Sequence, residues 1–137
     1  MIKSSKQITQ IELIRRLNMS IRGWCNYHQP VCSKETFKKL NHLMWNMLWK
    51  WCKRRHPNKG HKWIANRYWH AIKTRKWVFM DGDARLINSG DIPIVRHIAL
   101  KLDKNPFLDI EYFESRRRMM SQKKIKAYIQ TTAASFF

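Results

Sequence analysis

Cysteine and histidine are the first candidates for chemistry, because Cys25, His28 and Cys32 fall close together and Cys52 and His56 are four apart. Thiolates and imidazoles in such a set can hold zinc, and with it a metal-dependent nuclease is conceivable. The spacing is irregular, however. Structural zinc sites present compact ligand pairs such as C-x2-C, whereas Cys25 sits beside an apolar stripe as a small hydrophobe would, so the alternative is buried thiols and a satisfied histidine. No metal ligand is assigned on this pattern. Asp81 and Asp83 are the first closely spaced carboxylates, a pair that can hold magnesium for phosphoryl transfer. Between two β-prone runs, D-G-D reads instead as turn chemistry. No serine, cysteine or histidine constellation supplies a nucleophile with its base, so neither catalysis nor a cofactor is expected.

A stronger signal is electrostatic. The 137 residues carry 28 Lys+Arg against 9 Asp+Glu, a formal net charge of +19, which makes a polyanion the first partner to consider and disfavours an ordinary metabolic enzyme. Between Thr36 and Met80 there are twelve bases and no acid, interleaved with tryptophan and tyrosine. Lys and Arg neutralise phosphates and release counterions, while aromatic faces and Arg planes stack on unpaired bases, so the mixture suits structured RNA with loops or single strands. The plainer reading is a solvated basic face over a tryptophan-rich core. All seven tryptophans precede residue 78, and by their apolar bulk each is expected in the core more often than as a base platform.

These side chains must be positioned by folded elements, and at 44% hydrophobic the chain is too apolar for a disordered basic tail. Thr9 and Glu12 form an S/T-x-x-E capping box, and Ile14, Leu17, Ile21, Trp24 and His28 recur at helical spacing up to Pro30. Ser33 is the expected N-cap of a second helix reaching about Cys52, with Phe37, Leu40, Met44, Leu48 and Trp51 on one face. Trp45 and Trp49 lie on a face offset from that stripe, where they either meet a third helix or form a second contact surface. HPNKG, from His56 to Gly60, is a turn, and a third helix carrying Trp63, Ile64, Tyr68 and Ile72 should follow. Composition puts a boundary near residue 75. Beyond it, Lys76–Met80 and Ala84–Ile87 bracket a turn and predict a small hairpin. An extended run from Ile94 to Leu100 follows, and Asp109 to Lys126 reads as a short basic helix. There Glu114 can pair with Arg118 at i,i+4. The fold class is therefore mainly α: a three-helix bundle, a small β-hairpin and extended region, and a short basic C-terminal helix.

No stretch approaches the roughly 20 apolar residues of a membrane span, and MIKSSKQITQIE has no apolar core for a secretory signal. A cytoplasmic or organellar, non-secreted protein without a membrane partner is expected. Three cysteines without a leader argue for reduced thiols.

The stretch IRRLNMSIRGWCNYHQPVCSKETFKKLNHLMWNMLWKWCKRRHPNKG closely resembles the maturase-specific domain, also called domain X or thumb, of group II intron reverse transcriptases. The likeness rests on Arg22, Gly23, Trp24, Asn26 and Tyr27 in an RGW-x-NY motif, on Phe37, Leu40, Trp45, Leu48, Trp49 and Trp51, and on RRHPNK from Arg54 to Lys59. Downstream, Trp77, Val78, Phe79, Pro93, Ile94, Arg96, His97, Asn105, Pro106, Phe107, Tyr112, Phe113 and Arg116 resemble the linker and DNA-binding region that follows the thumb. The resemblance, over about residues 8 to 120, implies a thumb domain over residues 1–75 and a linker and DNA-binding-like region over 76–120, while composition reads 121–137 as a basic, frayed tail. It implies a piece of a larger machine, because such proteins carry a reverse-transcriptase domain before this region and often a Cys-rich HNH endonuclease after it. The polymerase's catalytic Asp pair does not occur in this sequence, and Cys25 and Cys32 are not part of the family motif.

The implied function is non-catalytic: stabilising group II intron RNA for splicing, contacting target DNA during intron mobility, and working with a separate reverse-transcriptase half. The charge map agrees with it, and the candidate RNA contacts are Arg22, Lys38, Lys50, Lys53, Arg54, Arg55, Lys59, Lys62 and Arg67. Arg96, Lys101, Arg116, Arg117 and Arg118 are the candidates for DNA. Arg22 has a second reading as an anchor of helix packing, and Gly23 most simply permits close approach of a neighbouring helix. The alternative function is a fragment that binds any polyanion without specificity.

Overall fold

The computed structural model describes residues 2–5, 7–31 and 33–136, with side chains as far as Gln130. The first helix, α1, spans Gln10–His28. Thr9 caps it, its Oγ1 accepting from the Glu12 N–H at 3.3 Å, while the Glu12 carboxylate accepts from Arg16 Nε at 2.7 Å. The next helix, α2, spans Lys34–Arg55, one turn longer than expected, and its basic last turn suits the negative end of the helix dipole. Ser33 stands at the N-cap but does not cap with its side chain; its hydroxyl donates backwards to the His28 carbonyl at 2.9 Å and so serves the end of α1.

The third helix, α3, is only His61–Tyr68. The expected helical stripe ends at Tyr68, and Ile72 belongs instead to a strand, β1, Trp69–Ile72. That strand pairs antiparallel with β2, Arg75–Asp81, through a bulge between His70 and Ile72. The β1–β2 turn is not legible in the sequence, because it is made by Lys73 at a φ of 52° rather than by glycine or asparagine. The hairpin lies on both sides of residue 75. The expected second turn is present: β2 pairs with β3, Ala84–Arg85, across Gly82 and Asp83, with Gly82 at a φ of 56° in the first turn position.

A 3-10 turn follows at Ser89–Asp91, and the chain then runs without sheet pairing, through turns at 102–103 and 106–108, to the last helix, α4, Ile110–Phe136. This helix is longer than the short one expected and continues through the residues read as a frayed tail. The class is mainly α, with a three-stranded sheet in the order β1-β2-β3 completing the bundle.

The core joins Leu13, Ile14, Leu17, Ile21 and Cys25 of α1 to Phe37, Met44, Leu48, Trp51 and Cys52 of α2. Ile64 and Tyr68 of α3, Trp69 of β1 and Phe79 of β2 close it. Polar side chains of the helices then hold the irregular segment by its backbone. Asn18 donates to the Arg85 carbonyl and accepts from the Ile87 N–H, both at 2.9 Å. Gln29 donates to the Pro93 carbonyl at 2.8 Å, Lys34 Nζ donates to the Gly90 and Ile92 carbonyls, and Asn41 Oδ1 accepts from the Ser89 N–H at 3.0 Å. Buried Gln10 donates to the Tyr68 and Met80 carbonyls, which fixes the start of α1 against α3 and β2. Satisfying backbone groups in this way lets a segment without regular structure pack against the helices.

Candidate nucleic-acid interface

Along α2, Lys39, Lys50 and Lys53 recur on the face opposite the Phe37–Leu48–Trp51 stripe and are exposed. Lys38, also exposed, lies nearer the side that carries Trp45. Arg54 and Arg55 have second engagements: Arg54 donates to the Lys3 carbonyl at 3.4 Å, and Arg55 donates to the Ile8 carbonyl while its guanidinium lies 4.6 Å over the Trp51 ring. Their charges therefore hold the N-terminal segment over the end of α2, where Trp51 Nε1 also donates to the Ser5 carbonyl at 2.6 Å. Lys59 and Lys62 are exposed in and after the α2–α3 turn, Lys59 lying 5.4 Å over the Trp63 ring, and exposed Arg67 lies 5.9 Å over Tyr68. Lys53, Lys59, Lys62 and Arg67 are thus exposed in the elements that meet at the α2–α3 corner, and Lys50 is exposed one turn before it. Lys39, which the sequence reading omitted, lies on the same face of α2 near its start.

Arg22 stands apart on the outward face of α1. The packing role considered for it is not seen, and neither is the one expected of Gly23: among the described residues nothing lies within 4 Å of a Cβ built there. The RGW-x-NY motif splits by helical geometry. Cys25 is in the core, Trp24 lies tilted at 60° against Phe37 with ring centroids 5.5 Å apart, and Arg22, Gly23 and Tyr27, the last 80% exposed, face outward.

The tryptophans are less buried than expected. Trp51 and Trp69 are in the core, Trp49 is half-buried, and Trp24, Trp45, Trp63 and Trp77 reach the surface. Trp45 and Trp49 stack with centroids 5.4 Å apart and both lean on Trp69, so they meet the strand that follows α3 rather than α3 alone.

The second set of candidates does not form one patch. Arg116 is half-buried and donates to the Ile98 carbonyl, which ties α4 to the extended segment as a structural contact. Arg117 and Arg118 are exposed, and Arg118 pairs with Glu114 at 3.6 Å, the i,i+4 partner expected from the sequence. Arg96 and Lys101 are exposed on the extended segment; the Arg96 carbonyl accepts from Lys123 Nζ at 3.1 Å, and the Lys101 N–H donates to Tyr112 Oη at the same distance.

Of the residues considered for zinc, Cys32 lies outside the described residues. Cys25 and Cys52 are both buried free thiols on different helices. Burial pushes the Cys25 thiol up and carries Cys52 to about 12. His56 is engaged with Tyr68 Oη at 2.7 Å, and burial likewise raises the Tyr68 phenol. Among the described residues no three such groups converge on a metal site. Asp81 and Asp83 flank Gly82 in the β2–β3 turn, as the turn reading requires.

A mainly helical domain with a basic corner and half-exposed indoles is the class of protein the fold defines. Residues 1–69 match the family model described as the group II intron, maturase-specific domain, and the chain belongs to that family. None of the curated proteins matches it. The matched residues cover α1, α2 and α3 and stop at the first residue of β1, so the family assignment rests on the helical bundle that carries the basic corner. A maturase-related role in group II intron biology follows from it, and among the described residues no helix is long and apolar enough to cross a membrane.

Proposed function

We propose that the domain is a non-catalytic RNA-binding module that clamps group II intron RNA in its splicing-competent fold. The observation that carries this reading is the stretch from Thr36 to Met80, with twelve bases and no acid, within and just beyond the family-matched helices. Lys50, Lys53, Lys59, Lys62 and Arg67 neutralise phosphates at and next to the α2–α3 corner, Lys38 adds one near the start of α2, and Arg22 adds a contact from α1. Arg54 and Arg55 contribute field there while holding the N-terminal segment. The RNA supplies the chemistry of splicing, so the protein needs only charge and shape. Arg96, Lys101, Arg117 and Arg118 are weaker, separate contacts for target DNA, with Arg116 tying α4 to the Ile98 carbonyl. Exposed Leu102, Phe107 and Leu108 fit a contact with the reverse-transcriptase half that the resemblance implies.

The test is equilibrium binding of the purified chain to a group II intron RNA and to an unrelated structured RNA of equal length across a salt series. The expected result is an intron preference of about tenfold, about 1.4 kcal/mol, at salt where non-specific binding is weak. Replacing Lys50 and Lys53 together by alanine should flatten the salt slope by about two, one for each lost phosphate contact. Equal affinities with a steep slope would reduce the module to a non-specific basic surface.

A further inference from the structure

We propose that the cavity between α2 and β2 takes one unpaired nucleobase of RNA, an inference that rests on the RNA-binding reading above and assigns it a base-recognition site. The cavity has a volume of about 150 Å³ and is walled by Trp45, Trp69 and Trp77, with Asn41 and Asn88 among its polar groups and Arg75 also on its lining. An apolar cavity of about 150 Å³ accommodates one benzene-sized ring.

The strand geometry makes Trp77 unusual. Side chains two apart on a strand share a face, so Trp77 lies on the same side of β2 as Phe79, which is buried in the core. Trp77 nevertheless remains 58% exposed, because the core ends before it and the cavity begins. Trp45 stands across from it with ring centroids 6.5 Å apart and planes at 80°, while another face of Trp45 is taken by the Trp49 stack. Two perpendicular indoles make a corner: a base lying flat on one ring meets the other with its edge. Such aromatic contact recognises any base and requires that it be unpaired.

The polar side of the corner is built for a hydrogen-bonding edge. Asn88 Oδ1 accepts from Asn41 Nδ2 and from the Gly90 N–H, which leaves the Asn88 Nδ2 donors for a base acceptor. Charge at the mouth has the sign a phosphate requires. Arg75 is exposed and pairs with Asp91, and exposed Lys38 stands one turn before Asn41 on α2.

The experiment measures binding to three labelled RNAs: a stem with a one-nucleotide bulge, the same stem with an abasic bulge, and the fully paired stem. The wild-type chain is expected to favour the base-containing bulge over the abasic one by about fivefold or more, the scale of one base stacked on an aromatic side chain. Trp77→Ala should abolish that preference without changing affinity for the paired stem, and Trp77→Phe should retain part of it. Equal wild-type binding to all three RNAs would overturn the pocket and leave the basic surface standing; so would a Trp77→Ala variant, folded by circular dichroism, that weakens all three alike. Binding to none of them would overturn the RNA reading and the pocket together.

Discussion

The family-matched helices and α4 are both basic and both helical, yet they are held in opposite ways. In α1 and α2 every turn contributes a residue to one continuous core, and the ring of Trp51 alone meets Tyr68, Phe79, Arg55 and the Ser5 carbonyl. The last helix buries only Met120 among its described hydrophobic residues and is otherwise tied by polar contacts: Arg116 to Ile98, Lys123 to Arg96, and Tyr128 Oη to Asn26 at 2.8 Å. A helix with few buried apolar contacts opens locally at low free energy, whereas a helix in a shared core opens only with the whole domain. The difference predicts that the basic corner opens only with the whole domain, while the charges of α4 sit on an element that opens locally.

The sharpest way to break this comparison is to remove a central side chain from each region. Trp51→Ala is expected to cost about 3–5 kcal/mol and to collapse the thermal transition followed by near-ultraviolet circular dichroism. Met120→Ala should leave that transition nearly in place and instead accelerate hydrogen exchange in α4; a shared loss of global stability would show that the two regions fold as one unit.

Alkaline pH probes the core from within. The Cys52 thiol titrates near 9 in an unfolded chain and at about 12 in the fold, so its contribution is complete below pH 9 and is lost as pH rises towards 12. Cys52→Ala should therefore lessen the fall of Tm across that window. Cys25 and Tyr68, raised in the same direction, keep some of the slope. An unchanged slope would show that Cys52 is not among the titrating groups.

Between the rigid bundle and α4 lies the irregular segment, and Asn18→Ala tests whether side chains hold it. Removing both hydrogen bonds to Arg85 and Ile87 should cost about 1–3 kcal/mol by denaturant titration, because the Ile87 N–H loses its partner. Gly23→Ala should act in the other direction, raising stability by about 0.5–1 kcal/mol, since the site is helical and open. A stabilised variant that binds RNA more weakly would mark this face of α1 as a contact surface. At the small end, Glu114→Gln on α4 should change stability by less than about 0.5 kcal/mol, because the Glu114–Arg118 pair is well exposed.

Much of the helical frame could be read in advance from local signals. Thr9 caps α1 because its hydroxyl reaches the Glu12 N–H, and the Phe37–Met44–Leu48–Trp51 stripe is buried because helical periodicity forces those residues onto one face. The D-G-D turn was legible because glycine supplies the positive φ at no steric cost. The Lys73 turn was not, since a lysine in that conformation is sustained by the pairing of β1 with β2 and leaves no local mark. Trp77 was noticed only as part of a family pattern. Its exposure beside buried Phe79 depends on where the core ends, which periodicity cannot state.

The sequence by itself determined the charge, the acid-free stretch, the helical periodicity and the family motif, because these are properties of residue type and spacing. Only the tertiary structure decided which tryptophans are buried, that Arg54, Arg55 and Arg116 bind backbone carbonyls, and that Asn18, Gln29, Lys34 and Asn41 hold the segment after the sheet. The physical reason is that burial and hydrogen-bond partnership are set by residues up to 102 positions apart, as with Asn26 and Tyr128, and no local signal encodes such a distance.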